Sequence, residues 1–85
     1  MNIEVKENME IVKKVKEILN NKKENNIIKD FSFMMSDEDP RIFLFRVQIT
    51  LNDMSFLKKD FIKGIYSDKK QIIQDVKNWL EEVFN

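Results

Sequence analysis

The apolar positions of this chain change period twice. Over the first part, Val5, Met9, Val12, Val15 and Leu19 recur at steps of three and four, with Ile11 and Ile18 beside them, while Glu10 stands three and four ahead of Lys13 and Lys14. That spacing predicts an amphipathic helix with one stripe to bury and a solvated, charged back. The run Asn20-Asn21-Lys22-Lys23-Glu24-Asn25-Asn26 holds no apolar residue, and its asparagines suit turn geometry, so the helix is expected to end inside it.

From Ile27 the period becomes two. Ile27, Phe31, Phe33 and Met35 are expected on one face of a strand, with Ile28, Asp30, Ser32 and Met34 opposite, until Ser36-Asp37-Glu38-Asp39-Pro40 stops the run. The next strand places Phe43, Phe45, Val47, Ile49 and Leu51 inside. Its other face begins apolar, at Ile42 and Leu44, and turns polar at Arg46, Gln48 and Thr50. A strand in a one-layer sheet needs only one apolar face, so Ile42 and Leu44 ask for a cover that the alternation does not supply. Asn52-Asp53 then fits a two-residue hairpin turn.

The segment from Met54 to Tyr66 admits two readings. As a strand, Met54 and Phe56 continue the inner face opposite Leu51 and Ile49, and a bulge near Lys58-Lys59 lets Phe61 and Ile65 rejoin it. As a helix, Asp53 caps it, Met54, Leu57, Phe61 and Ile62 form its stripe, and Gly64 stands just past its end. The strand aligns inner faces across the turn without adjustment and is preferred; the helix stays open. A last helix starts like a capping box, with Asp68 three residues before Gln71, and carries Ile72, Ile73, Val76, Trp79, Leu80, Val83 and Phe84 at helical spacing. The expected architecture is a single α+β domain over residues 1–85 in the order α-β-β-β-α, a three-stranded antiparallel sheet with both helices packed on one face.

Composition narrows the chemistry. With 85 residues the core is modest, so each buried face matters. Cys and His are absent, which removes disulfides, thiol nucleophiles, zinc-thiolate sites and the commonest general base. Ser36, Ser55 and Ser67 have no His partner, and no Gly-rich phosphate loop exists, so catalysis and cofactors are not expected. Met1-Asn2-Ile3-Glu4 opens without a basic, then apolar, leader, and no run approaches the roughly 18 to 20 apolar residues of a membrane span, which points to the cytoplasm. Lys plus Arg equals Asp plus Glu, at 15 each, so no global field draws nucleic acid or anionic lipid. Heavy use of Lys, Asn, Ile and Phe, with no Ala, indicates AT-rich coding, as in a low-GC bacterium or its phages.

Three groups of residues remain as candidates. If the helices cover the Phe43/Phe45 face, then Ile28, Met34, Ile42, Leu44, Ile62 and Tyr66 lie on the other beside Arg46, Gln48 and Lys58, a mixture that suits a protein interface or a homodimer of outer faces. Asp37, Glu38 and Asp39 form a carboxylate-rich loop without the spacing of a calcium site, which leaves an acidic contact loop. Lys69 and Lys70 start the last helix and Glu81 and Glu82 end it, against the helix dipole, and a helix N-terminus flanked by lysines is an anion site. Trp79 sits within the last helix's stripe and is expected in the core.

Two resemblances follow from these residues. The order, the length and the Ser67-Asp68-Lys69-Lys70 start of the last helix resemble a double-stranded RNA-binding domain, which implies phosphate contacts from Lys69 and Lys70. The family's Lys-Lys-x-Ala-Lys pattern is departed from at Ile72 and Ile73. The same order and the Asn/Ile/Glu/Lys-rich first helix also resemble small phage-encoded anti-CRISPR proteins. That resemblance implies a stoichiometric, non-enzymatic inhibitor whose partner is a CRISPR effector or other defence nuclease. On that reading the contact residues are Met34, Ile42, Leu44, Arg46, Ile62, Tyr66 and Asp37 to Asp39; on the other they are Lys69 and Lys70.

Overall fold

The computed structural model describes residues 3–39, 41–64 and 68–84, with the side chains of Glu4, Asp37 and Asp39 outside that description. Its elements are α1 (Ile3–Glu24), β1 (Asp30–Asp39), β2 (Ile42–Thr50), β3 (Phe56–Lys63) and α2 (Lys69–Phe84). The strands form one antiparallel sheet in the order β1-β2-β3, so the architecture is the expected α-β-β-β-α, α+β arrangement.

In α1 the fully buried positions are Ile11, Val15 and Leu19, one helical turn apart. Val12 and Ile18 flank them, whereas Met9, expected in the stripe, is 61% exposed because the buried seam runs one position to its side. The helix closes on Asn26, whose φ of 60° places it in the left-handed region. The Ile27 N–H donates to the Lys22 carbonyl at 2.9 Å and the Asn26 N–H to the Lys23 carbonyl at 3.1 Å. These are the two bonds of a Schellman closure, and asparagine tolerates its left-handed position better than most residues. The reversal exposes Ile27 and drops Ile28 into the core before β1 begins, the opposite of what alternation through both residues predicts.

Along β2 the alternation is clean: Phe43, Phe45, Val47 and Ile49 are buried, and Ile42, Leu44 and Arg46 are exposed. β1 continues through the acidic segment to Asp39, beyond its expected stop, with its register to β2 shifting between Ser36 and Asp39.

The largest correction lies after β2. The Met54 N–H donates to the Leu51 carbonyl at 2.9 Å, the Leu51 N–H donates to the Ser55 carbonyl at 2.8 Å, and Met54 has φ 73°. This is a three-residue loop, a type I turn followed by a left-handed residue, not a two-residue turn. The extra residue reverses the facing of everything after it. Leu57 pairs with Ile49 and Phe61 with Phe45 on the inner face, while Phe56 pairs with Thr50 on the outer face. No bulge near Lys58-Lys59 is needed, and the helix alternative falls. Asp53 caps no helix; its carboxylate accepts the Ser55 N–H at 3.0 Å and the Ser55 hydroxyl, which together hold its pKa below the usual aspartate value.

At α2, the Asp68 carboxylate accepts the Lys70 N–H at 2.8 Å as an N-cap. Gln71 does not complete a capping box; its amide donates to Asp75 at 2.9 Å, one turn on. Ile72, Val76, Trp79 and Leu80 bury against the sheet, and Trp79 meets Phe61 edge-on at 5.8 Å. Trp79 is therefore core.

Met54→Gly tests the loop. A non-Gly residue in the left-handed region carries roughly 1–2 kcal/mol of strain, part of which glycine's greater chain entropy offsets. The substitution is expected to stabilise the protein by about 0.5–1 kcal/mol, raising Tm by several degrees in a thermal melt.

Candidate functional site

Because β2 is central and both helices take its Phe43/Phe45 side, the outer face of the sheet is bare. Strand register sets its layout. Across the three strands, successive rows are Asp30, Thr50 and Phe56; Ser32, Gln48 and Lys58; Met34, Arg46 and Asp60; and Ser36, Leu44 and Ile62, with Ile42 beyond Leu44 on β2. Directly opposed side chains on one face of an antiparallel pair stand about 4.5–5.5 Å apart at Cβ. Met34, Ile42, Leu44 and Ile62 thus form one apolar cluster at the end of the sheet that holds the β1–β2 connection. They are 58%, 51%, 41% and 63% exposed, far from the burial that aliphatic side chains of this size usually find.

A charged clasp borders this cluster. The Arg46 guanidinium donates from Nε to Asp60 Oδ1 at 2.7 Å and from a terminal nitrogen to Oδ2 at 3.2 Å. The two-pronged geometry fixes the two side chains relative to each other across β2 and β3. Hydrogen bonding to Arg46 lowers the Asp60 pKa, and the Asp60 carboxylate raises that of Arg46. Beside the clasp a shallow depression of about 180 Å³ is bounded by Met34, Leu44, Arg46 and Asp60.

The expected surface residues are therefore mostly brought together: Met34, Ile42, Leu44, Ile62 and Arg46 share one face. Ile28, expected among them, is in the core, and Phe56, expected inside, stands 59% exposed on the outer face at its far end. Tyr66 lies outside the described residues. Glu38 is exposed in the last part of β1; the backbone of Asp37 and Asp39 belongs to that strand rather than to a free loop.

Lys69 and Lys70 are not an open pair. The Lys69 ammonium bonds to the Glu10 carboxylate from α1, which raises the Lys69 pKa and lowers that of Glu10, and Asp68 already occupies the helix N-terminus. An anion arriving here has to displace carboxylates from both positions, leaving Lys70 as the exposed ammonium of the two.

Two features carried no clear sequence signal. Lys63 is inward on β3 opposite Phe43 and only 3% exposed, with its Nζ 3.4 Å from Glu7 of α1. A second concavity, about 470 Å³, lies on the helix side between α1 and the sheet, lined by Val5, Met9, Val12, Met35 and Phe43. It explains why Met35, inward by alternation, remains 50% exposed. Exposed methionine pairs such as Met9 and Met35 were readable from the sequence only as core candidates.

Comparisons of the chain with protein-family models, curated proteins and solved structures found no match. Among the described residues no helix is long and apolar enough to cross a membrane.

The clasp gives a pH signature. Asp60, Glu10, Asp30 and Asp53 all have folded-state pKa values below their ordinary ones, through Arg46, Lys69, the Phe31 N–H with Lys23, and Ser55 respectively. The stability each supplies is present above its unfolded pKa, 3.8 for Asp and 4.5 for Glu, and is lost as pH falls through the lower folded value. Thermal melts from neutral pH to about pH 2 are expected to show stability falling below pH 4, with a shallower fall in Asp60→Asn than in the parent. At the inward lysine, Glu7→Ala is expected to cost more than Lys63→Met in urea unfolding, because the first strands a buried ammonium while the second leaves a carboxylate that reaches water.

Proposed function

We propose that this chain is a non-enzymatic protein-binding module that docks a protein partner on the outer face of its sheet. The observation that carries this reading is the contiguous cluster of Met34, Ile42, Leu44 and Ile62, each 41–63% exposed, on a face that neither helix covers. Exposed apolar patches of this kind mark interaction sites more often than they mark idle surface. The Arg46–Asp60 clasp at its border supports the same reading, since a preorganised arginine beside an apolar centre is a common composition for an interface.

The proposed partner class is a bacterial defence nuclease of CRISPR type, inhibited by stoichiometric occlusion, with the gene carried by a phage or mobile element. What supports this finer reading is the likeness in element order and residue usage to small anti-CRISPR proteins. The nucleic-acid reading through Lys69 and Lys70 has less support, because Glu10 and Asp68 already engage that helix start.

The test is titration of the purified chain into DNA cleavage by type II CRISPR effectors, alongside Ile42→Lys and Leu44→Lys. Inhibition that saturates at one chain per effector is expected, with each substitution weakening binding by about 2 kcal/mol or more, roughly thirtyfold, while the circular dichroism stays unchanged. Binding that survives both substitutions removes the outer face from the reading. Retention of RNA that is lost with salt and with Lys70→Gln replaces it by the phosphate-contact reading.

A further inference from the structure

The docking cluster takes in Ile62 at one end of β3 but leaves Phe56, at the other end of the same face, without a role; the two are 63% and 59% exposed. β3 is an edge strand. Its hydrogen-bonding parity follows from the hairpin: the Leu51 N–H to Ser55 carbonyl bond makes 51 and 55 a hydrogen-bonded pair, and the register then gives Ile49 with Leu57, Val47 with Lys59, Phe45 with Phe61 and Phe43 with Lys63. In an antiparallel ladder such pairs alternate with non-bonded ones. The backbone N–H and C=O groups of Phe56, Lys58, Asp60 and Ile62 therefore point away from β2, along an edge that no strand among the described residues pairs with.

We infer that two copies of this chain pair through these edges, antiparallel about a two-fold axis at Lys59, joining two sheets into one. This goes beyond the docking surface proposed above and does not depend on it. In that register Lys58 of each copy faces Asp60 of the other, and Phe56 of each faces Ile62 of the other. All four pairs use the outward-pointing backbone groups. On the helix side Leu57, half-buried in one copy, gains Phe61 of the other as its neighbour. An isologous contact requires this self-complementarity, in which residue i meets j and j meets i.

Shifting the two-fold axis by one residue either way loses the match. Centred on Asp60, it opposes the two Asp60 carboxylates and sets Lys58 against Ile62. Centred on Lys58, it opposes two lysines and sets Phe56 against Asp60. The Lys59 register also opposes like charges, the two Lys59 side chains on the helix side. There, however, each Lys59 lines a groove of about 380 Å³ together with Asp75 and Glu82 of α2, so carboxylates of the same copy stand on the helix side with it. Lysines in the middle of an edge strand ordinarily keep it from pairing. Here each copy brings a carboxylate, Asp60, that accepts from its own Arg46 and keeps lone pairs with which to answer the other's lysine. The β1 edge lacks this property: its register to β2 breaks between Ser36 and Asp39, and it carries Asp30, Asp37, Glu38 and Asp39 with no lysine inside the strand.

The consequence is a continuous outer face on which the two Ile62-centred clusters lie on either side of the junction, doubling the apolar docking area. The experiment is sedimentation equilibrium of the full chain from micromolar to millimolar concentration, with K58E and D60K made separately and their folding checked by circular dichroism. Each variant alone opposes like charges twice and is expected to dimerise at least about tenfold more weakly than the parent. Mixed in equal amounts, the two variants restore both opposite-charge pairs and are expected to recover the dimer. In the parent dimer the amide protons of Lys58 and Asp60 are expected to exchange slowly, and to become fast on dilution. A chain that remains monomeric at millimolar concentration overturns the proposal. So does a dimer in which those two amides exchange freely and which Leu44→Lys dissolves, since that is an association of outer faces. Loss of nuclease inhibition in Leu44→Lys with the edge dimer intact would separate this inference from the docking surface.

Discussion

The inner face of β2 is the surface on which every other element closes, and the Phe45 ring is its centre. Phe33 of β1 stacks on it at 5.0 Å, Phe61 of β3 at 5.2 Å, and Phe43 meets it tilted at 5.2 Å. Both edge strands are thereby tied to β2 by ring contact as well as by backbone bonds, and offset aromatic packing adds about 0.5–1.5 kcal/mol per pair beyond the area buried. The helices settle on the same ground: Trp79 reaches Phe61, and Ile11, Val15 and Leu19 join the same cluster. A domain this small has one such centre. Its burial on one side is what leaves the other side of the sheet facing water.

Charge organises the end of the core where hydrophobic packing runs out. Lys63 points inward with Glu7, Lys69 bonds to Glu10, and so the first half of α1 is held to the end of β3 and the start of α2 by ion pairs. These contacts explain why the lysine-first start of α2 is tolerated despite its unfavourable sense relative to the helix dipole: Asp68 and Glu10 supply the negative charge from outside the helix. The local rule that looked broken in one helix is satisfied by two.

Loop geometry decides what the sheet presents. One residue more in the β2–β3 loop moves Phe56 from the core to the outer face and brings Leu57 and Phe61 inward. The Asn52 side chain also donates to the Asn26 carbonyl at 2.9 Å, tying this loop to the turn that ends α1. Asn26 and Met54, the two left-handed non-glycine residues among those described, lie in these joined loops, so the geometry that expels Ile27 and the geometry that expels Phe56 are set at the same end of the molecule.

Much of the architecture was written in periodicity. Two helical stripes, the alternation of β2 and the unsupported apolar pair Ile42 and Leu44 are local patterns, and local patterns survive folding when one strand face or helix stripe has a core to meet. The sequence by itself determined both helices, the first two strands, the inner face of β2 and the uncovered pair Ile42 and Leu44, and left the segment from Met54 open between strand and helix. Tertiary structure decided the rest. Whether Asn52-Asp53 closes in two residues or three depends on which parity buries more of β3, and only the packed sheet, with Phe61 under Trp79, answers that. The pairing of Glu10 with Lys69, 59 residues away, rather than with Lys13 or Lys14 has the same origin. Charges find partners across space once the core has placed their backbones, and no spacing along the chain encodes that distance.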